Sequence, residues 1–344
     1  MGTKLKDLVI KQPITIDELK NKTLVVDSFN VLYQFLTTIR MGDGSPLRDS
    51  AGNITSHLNG LFYRTTNLMN RGLRLAFVFD GKPPALKAQE REKRNQAKIE
   101  AQKKYEHAAA EENIEDMKKY GARTARLTSE MVAEAKKLIE ALGLSVIQAP
   151  SEGEAQAAFI VAQGDAFAEV SQDYDCVVFG VPRLVRNLTV SEKRKLPSKL
   201  AYQTVAPELI TLKDNLKSWG ISQDQLIALA MLVGTDFNPG GIHGIGPKNA
   251  LKLVKKHDTH FDALFKEVKW SDHFDTDWHE IFDTFKHIPT TTDYALSWKP
   301  INTEKVVELL CEAHDFSKQR IEEHLAKLTE LEKGKKQKGL GEFF

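Results

Sequence analysis

The chain has 344 residues, of which 41% are hydrophobic and 28% charged, and its formal net charge is +1. This composition allows a sizeable buried core and excludes an intrinsically disordered protein. Only two cysteines are present, and no apolar run reaches the roughly 18 residues of a membrane span, so we expect an intracellular protein with no disulfide framework, signal peptide or membrane segment.

Short apolar segments alternate with segments of helical periodicity between roughly residues 22 and 240. This alternation is typical of an α/β sheet covered by helices. The predicted strands are 23–27, 75–80, 166–171 and 176–179, and the predicted helices are 56–71, 129–142 and 152–163.

Acidic residues stand where several of these elements begin or end. Asp27, Asp80 and Asp236 each close an apolar run, and acidic doublets occur at 152–154 and 173–175. Open α/β sheets place ligand sites at the carboxyl ends of their strands, where Asp27 and Asp80 are expected. Taken singly, each motif also has a structural explanation, because acids are favoured in the first turn of a helix and in tight turns.

Together, the acidic residues indicate a divalent-metal site. Carboxylates brought close together repel one another unless cations lie among them, and oxygen ligands without histidine or cysteine suit Mg²⁺ or Mn²⁺. Two such ions about 3.5–4 Å apart can stabilise the attacking and leaving oxygens of a phosphoryl displacement, which predicts a phosphodiester hydrolase. The candidate metal ligands are Asp27, Asp80, Glu152, Glu154, Asp173, Asp175 and Asp236.

Residues 88–121 are almost wholly charged residues and alanine. Good helix formers dominate the segment, which is too polar to be a core helix. We therefore predict an exposed helical hairpin. Because it follows residues 80–84, its base is expected to stand over the acidic residues.

Positive charge is concentrated in three segments of this nearly neutral chain. Residues 82–104 carry eight lysines and arginines against three glutamates, 183–199 carry six against one, and 244–257 carry four lysines and no acid. Basic segments beside an acidic site suggest a polyanion bound along its backbone. Glycines within 244–250 allow backbone N–H groups to approach a phosphate, which favours a phosphate clamp without sequence specificity.

The tail of the chain, residues 332–344, has too little apolar content to fold alone, yet it ends on two phenylalanines. Gln337, Leu340, Phe343 and Phe344 have a spacing at which one helical turn brings the leucine and the rings onto a shared face. The spacing predicts a segment that binds a partner protein.

Five stretches, in order along the chain, resemble the structure-specific 5′ flap endonucleases of the archaeal and eukaryotic type. One departure is Cys-Val-Val at 176–178, where Ser-Leu-Leu is commoner, and the short tail resembles archaeal members. The matching stretches are 26–35, 79–84, 149–155, 171–175 and 234–238.

The resemblance implies an α/β fold of the PIN-like 5′-nuclease type. Its central sheet is mixed but mostly parallel and is flanked by helices, with a helical arch and a helix-turn-helix variant that holds duplex DNA. It implies one nuclease domain over 1–330 and a flexible clamp-binding tail over 331–344. The parts of the domain are an N-terminal part (1–87), the arch (88–128), a part with the second acidic cluster (129–240), the duplex-binding hairpin (241–258) and a C-terminal helical part (259–330).

The resemblance also implies roles for individual residues. The seven acids match the ligands of two Mg²⁺ ions, for which Mn²⁺ can substitute. Lys87 and Arg94 match basic residues that contact the scissile phosphate, and Tyr33 matches an aromatic residue that stacks on a nucleotide. The implied duplex-binding residues, beside which the family holds a K⁺ ion, are Gly244, Gly246, Lys248 and Lys252, and the implied clamp-binding residues are Gln337, Leu340, Phe343 and Phe344.

The implied activity is Mg²⁺-dependent flap endonuclease cleavage with 5′-3′ exonuclease action, leaving a 5′ phosphate, in DNA replication (Okazaki fragment maturation) and repair. The implied partners are branched DNA with a 5′ flap and the sliding clamp (PCNA), and the implied state is a DNA-associated monomer, in the cytoplasm or nucleoid of an archaeon or the nucleus of a eukaryote. Alternatives are a double-strand 5′ exonuclease, a junction resolvase or an excision-repair nuclease of the same superfamily. A single-strand ribonuclease and a non-catalytic clamp-binding scaffold are more distant alternatives.

Overall fold

A computed structural model describes residues 3–190, 193–195 and 202–341, with the backbone alone described for 193–195, 202–204 and 331–341. The strands in these residues are β1 (Gln12–Pro13), β2 (Thr23–Asp27), β3 (Arg74–Phe79), β4 (Ser145–Gln148), β5 (Ala168–Val170), β6 (Arg183–Arg186), β7 (Lys193–Lys195), β8 (Tyr202–Thr204) and β9 (Glu208–Thr211).

Helices lie between and after the strands. They are α1 (Ser28–Thr38), α2 (Ser56–Asn70), α3 (Ala88–Ala110), α4 (Ile114–Gly121), α5 (Ser129–Ala141), α6 (Gly153–Gln163), α7 (Asp175–Val178), α8 (Leu212–Trp219), α9 (Gln223–Val233), α10 (Pro247–His257), α11 (Phe261–Glu267), α12 (Trp278–Lys286), α13 (Thr303–Val307) and α14 (Lys318–Gly341). Short 3₁₀ turns occur at Asp17–Leu19, Ala85–Lys87, Ala122–Thr124 and Trp270–Asp272, and a π turn at Glu308–Glu312.

One sheet organises the fold, with the strand order β1-β9-β6-β5-β2-β3-β4. The five strands from β6 to β4 in this order are parallel neighbours, whereas β9 pairs antiparallel with both β6 and β1. The predicted mixed, mostly parallel sheet is therefore confirmed. Because the five parallel strands run the same way, their carboxyl ends meet at one edge of the sheet.

Hydrophobic cores cover both faces of the sheet, as the alternation of side chains along a strand requires. On β2, Val25 belongs to a core formed with α6 and α9, whereas Leu24 and Val26 belong to a core formed with α1, α2 and α5. All three side chains are at most 2% exposed. The buried strands explain why the apolar runs of the sequence are continuous rather than alternating.

Two helix pairs are prominent among these elements. Helices α3 and α4 form the predicted hairpin, with the turn at residues 111–113, and we call this pair the arch. Helices α9 and α10 flank residues 234–246 and form the predicted helix-turn-helix variant. None of the helices in the described part of the chain combines the length and the hydropathy needed to cross a bilayer.

The prediction of a strand at 176–179 is wrong. Residues 175–178 form the single-turn helix α7, with the Phe179 backbone N–H donating to the Asp175 carbonyl at 2.9 Å. Cys176, Val177 and Val178 are all at most 1% exposed. Because these three side chains are all buried, they form a continuous apolar run, which periodicity cannot distinguish from a buried strand.

Candidate active site

Three aspartates lie at or just beyond the carboxyl ends of neighbouring parallel strands. Asp27 ends β2, is 3% exposed, and accepts a hydrogen bond at 3.0 Å from the backbone N–H of Asn30 in α1. Asp80 follows β3 directly. The third aspartate, Asp173, follows β5. Ser171 links it to Asp27 at the end of β2, because the Ser171 hydroxyl donates to Asp27 Oδ2 at 3.2 Å and accepts from the Asp173 backbone N–H at 3.1 Å.

The first acidic doublet lies at the start of α6. Glu152 is the N-cap residue, but its carboxylate makes no capping hydrogen bond and instead accepts one from Lys87 Nζ. Helix capping therefore does not explain why an acidic residue occupies position 152. Between the two glutamates, the Gly153 backbone N–H donates to Asp80 Oδ1 at 2.8 Å, and a Cβ at position 153 would lie 2.5 Å from that oxygen. A larger residue here would displace the Asp80 carboxylate, and Glu154 follows in the first turn.

The second doublet lies after β5. Asp175 is the first residue of α7 and is 6% exposed, and its backbone N–H lies 3.4 Å from Asp173 Oδ1. The Asp175 carboxylate accepts hydrogen bonds from both the backbone N–H and the hydroxyl of Thr3, the former at 2.8 Å. The beginning of the described chain therefore packs directly against the acidic residues.

Asp236 brings the helix-turn-helix variant to the site, because it lies just beyond α9. Its Oδ2 is 3.3 Å from Lys87 Nζ and its Oδ1 is 2.5 Å from Arg94 Nη2. Arg94 Nε also pairs with Glu90 at 2.9 Å, one turn earlier in α3. The base of the arch thus places two cations among the carboxylates.

Burial and mutual repulsion perturb the acids strongly. Burial, reinforced by Asp80, raises the pKa of Asp27 from an ordinary 3.8 to about 7. Burial and the charge of Glu152 raise the pKa of Asp80 to about 6, and burial with Asp173 raises the pKa of Asp175 to about 7. Each shift disfavours the charged carboxylate, as expected where like charges are crowded out of water.

The remaining members of the cluster belong to the same charge network. Burial, with Asp173 and Asp175 adding to it, raises the pKa of Glu154 well above its ordinary value. Burial of Lys87 alone would lower the pKa of its ammonium group, but the charges of Glu152 and Asp236 outweigh it and the net shift is upward. All seven predicted ligands are therefore brought into one electrostatic cluster.

The chemistry of this cluster fits hard divalent cations. Its donors are carboxylate oxygens, the class of ligand that Mg²⁺ and Mn²⁺ take, and a bound cation would offset the repulsion that raises their pKa values. Among the described residues, no three histidine, cysteine or acidic side chains are already placed as ligands of a single ion. Lys87 and Arg94 lie where they supply countercharge.

Comparison with known proteins identifies the family. The XPG N-terminal domain matches residues 3–101, and the XPG I-region matches residues 143–236. Flap endonuclease 1 of Pyrococcus abyssi is 47% identical over 344 residues, covering 100% of this chain and 98% of that protein. The chain belongs to the flap endonuclease 1 family. The Staphylothermus marinus flap endonuclease 1 is 49% identical over 96% of this chain and 95% of its own length.

A solved structure agrees with this flap endonuclease assignment. The flap endonuclease-1 of Methanococcus jannaschii is 41% identical and superposes with a TM-score of 0.76, covering 97% of this chain and all of that one. The two family-model segments together contain all seven acids, Tyr33, Lys87 and Arg94. The family resemblance inferred from five short stretches is confirmed over the full length.

The other predicted contact residues lie on α1, around the start of α10 and near the end of the chain. Tyr33 is half-buried on α1, with Lys98 Nζ 4.8 Å from its ring centre and 3.3 Å from its hydroxyl. Gly246 is the N-cap of α10 and is exposed. The exposed members of the predicted duplex-binding set are Gly244, Gly246, Lys248 and Lys252.

The predicted clamp-binding residues are only partly described. Gln337 and Leu340 belong to α14, of which only the backbone is described at these positions. The helix extends to Gly341, through the segment expected to be a flexible tail. Phe343 and Phe344 lie outside the described residues.

Sequence reasoning missed two residues that contact the acids. Ser171 contacts two predicted ligands, Asp27 and Asp173. Its place two residues before Asp173 is the one feature of the sequence that could have indicated this role. Thr3 contacts Asp175 across a separation of 172 residues. No local pattern in the sequence signals such a distant contact.

Proposed function

We propose that this protein is a structure-specific 5′ flap endonuclease with associated 5′-3′ exonuclease activity, acting in DNA replication and repair. The observation that carries the proposal is the convergence of seven carboxylates with Lys87 and Arg94 at one edge of the sheet. This arrangement occurs in a chain of the flap endonuclease 1 family. A clamp-binding scaffold without catalysis would gain nothing from so repulsive a cluster.

Two Mg²⁺ ions, with Mn²⁺ as a substitute, are the cofactors in this proposal. When bound, they would supply a nucleophilic water at neutral pH and countercharge for the attacking and departing oxygens. The charge of Asp173 acts on Asp27, and that of Asp236 acts on both Asp173 and Asp175, so the acids form one extended set in which more than one cation can be held. The proposed ligands are Asp27, Asp80, Glu152, Glu154, Asp173, Asp175 and Asp236.

Lys87 and Arg94 hold the scissile phosphate in this proposal. Both cations already lie at the acids, where Lys87 contacts Glu152 and Asp236, and Arg94 contacts Asp236. A phosphate entering beside bound ions exchanges these carboxylate contacts for contacts to its own oxygens, and the two side chains then stabilise charge that develops during displacement. Hydrolysis with departure of the 3′ oxygen leaves the phosphate on the 5′ side of the product.

The DNA on either side of the cut would lie on two further surfaces. Tyr33 offers a ring for stacking on a nucleotide near the cut, since stacking on aromatic side chains does not depend on base identity. The exposed glycines 244 and 246 let the backbone at the start of α10 approach a phosphate of the duplex, with Lys248 and Lys252 adding positive charge and a K⁺ ion held at the turn. Both surfaces bind the backbone or any base, so recognition depends on DNA shape.

In this proposal the C-terminal tail binds a partner protein. Gln337, Leu340, Phe343 and Phe344 form a short motif that would dock on the sliding clamp, and the enzyme acts as a monomer on branched DNA. Replacing both phenylalanines by alanine should abolish stimulation by the clamp and leave cleavage without the clamp unchanged. Stimulation that stays at the wild-type level would contradict the docking role.

Cleavage of a substrate series with Mg²⁺ tests the function. We expect the highest rate on a 5′ flap, slower cleavage of a nicked duplex, and little on a 3′ flap or single-stranded RNA, with a 5′ phosphate on the product. Asp173→Ala should abolish cleavage, whereas Asp275→Ala, at an exposed position, should not. A preference for the RNA, or full activity of Asp173→Ala, would refute the proposal.

A further inference from the structure

Thr3 is buried against the acidic cluster although it is neither a predicted metal ligand nor a phosphate-binding residue. It is 2% exposed. Its backbone N–H donates to Asp175 Oδ1 at 2.8 Å, and its side-chain hydroxyl donates to the same oxygen. Two donors from one residue therefore converge on a single carboxylate oxygen.

The two donors differ in what they demand of the sequence. Any residue except proline provides the backbone N–H, whereas among small side chains only threonine or serine provides a hydroxyl at this position. With Oδ1 held by both donors, rotation of the Asp175 carboxylate is restricted and Oδ2 remains available as a ligand atom. The hydroxyl is therefore the part of this contact that depends on the identity of residue 3.

We propose that Thr3 is a positioning residue of the metal site, whose hydroxyl fixes the Asp175 carboxylate in the orientation that binds a divalent ion. The inference rests on the proposed metal-dependent function. Groups that hydrogen-bond to a metal ligand orient it, and their loss typically weakens metal affinity about 10- to 100-fold. Without the hydroxyl, Asp175 Oδ1 keeps only the backbone donor, and the buried carboxylate is less firmly oriented.

Replacing Thr3 by valine and by serine in the full chain separates the hydroxyl from the shape of the side chain. Valine keeps the volume and loses the donor, whereas serine keeps the donor. Binding of Mn²⁺ to the protein without DNA, measured by calorimetry, should weaken about 10-fold or more in Thr3→Val and stay near wild type in Thr3→Ser. In cleavage of a 5′ flap, the rate loss of Thr3→Val should be recovered at high Mn²⁺ concentration, with the KM for DNA unchanged.

Two comparisons keep this inference distinct from the proposed function. Asp175→Asn should weaken Mn²⁺ binding; if neither it nor the wild type shows measurable binding, the metal site itself is wrong. If Asp175→Asn weakens binding and Thr3→Val does not, or if Thr3→Ser loses as much as Thr3→Val, only the role of Thr3 is overturned. Thermal unfolding in EDTA checks that the variants fold, and Thr3→Ala replaces Thr3→Val if the latter does not.

Discussion

The acidic cluster should make the metal-free protein less stable as the pH rises, and Asp27→Asn should relieve part of that loss. Asp27 has a pKa raised from 3.8 to about 7 by burial and by Asp80. Its stabilising contribution is complete below pH 3.8, where folded and unfolded chains both hold the proton, and it is lost as the pH rises through about 7. At about 1.4 kcal/mol per pKa unit, this interval corresponds to about 4 kcal/mol of unfolding free energy.

The assay is denaturant unfolding in EDTA between pH 4 and pH 8. Asparagine keeps the size of the side chain and its ability to accept the N-cap hydrogen bond from Asn30, and it carries no titrating proton. The Asp27→Asn variant should therefore lose less stability across this interval and exceed the wild type near pH 8. The exposed Asp275→Asn serves as the matched control. Parallel pH profiles for wild type and Asp27→Asn would show that Asp27 does not carry the pH dependence.

Three further predictions concern cleavage and DNA binding. Lys87→Met should lower the single-turnover rate on a 5′ flap about 10²- to 10³-fold because a charge-stabilising donor is lost, whereas the exposed Lys82→Met should not; equal rates would contradict the phosphate role. Gly153→Ala should weaken divalent-ion binding in calorimetry because its Cβ would displace a carboxylate oxygen 2.5 Å away, whereas Gly42→Ala meets no atom within 4 Å and should bind normally. Lys252→Ala should reduce the slope of log affinity against log salt for duplex DNA by about 1, and an unchanged slope would place the phosphate contact elsewhere.

The acids that follow strands were predictable because two independent patterns coincide there. A buried parallel strand is a continuous apolar run, and a carboxylate directly after such a run falls at the ligand-binding edge of the sheet, as Asp27 and Asp80 do. The arch was predictable from composition, since a helical segment with so few apolar residues cannot be buried. These features depend on local sequence alone.

The rest of the site depends on tertiary structure. The helix within the apolar run at 176–179 was not predictable, because complete burial of residues 176–178 removes the periodicity that separates a helix from a strand. The contacts of Thr3 and Ser171 with the acids join segments distant in sequence, and hydroxyl residues are too common for their positions to be informative. Likewise, the sequence indicates that Lys87 lies near the acids but not that it bridges Glu152 and Asp236.

If Lys87 and Arg94 hold the phosphate as proposed, the ion pairs at the base of the arch make substrate entry an exchange reaction. Lys87 and Arg94 already hold carboxylates of the body of the protein, and so the arch is anchored at its base by the same groups that would grip the phosphate. A DNA strand that arrives without the divalent ions would have to compete with Glu152 and Asp236 for these cations. In the proposed function, strand and ions arriving together would release the carboxylates to the metals and the cations to the phosphate. The anchoring pairs would then open only when both the DNA and the divalent ions are present, and they would form again when the product leaves.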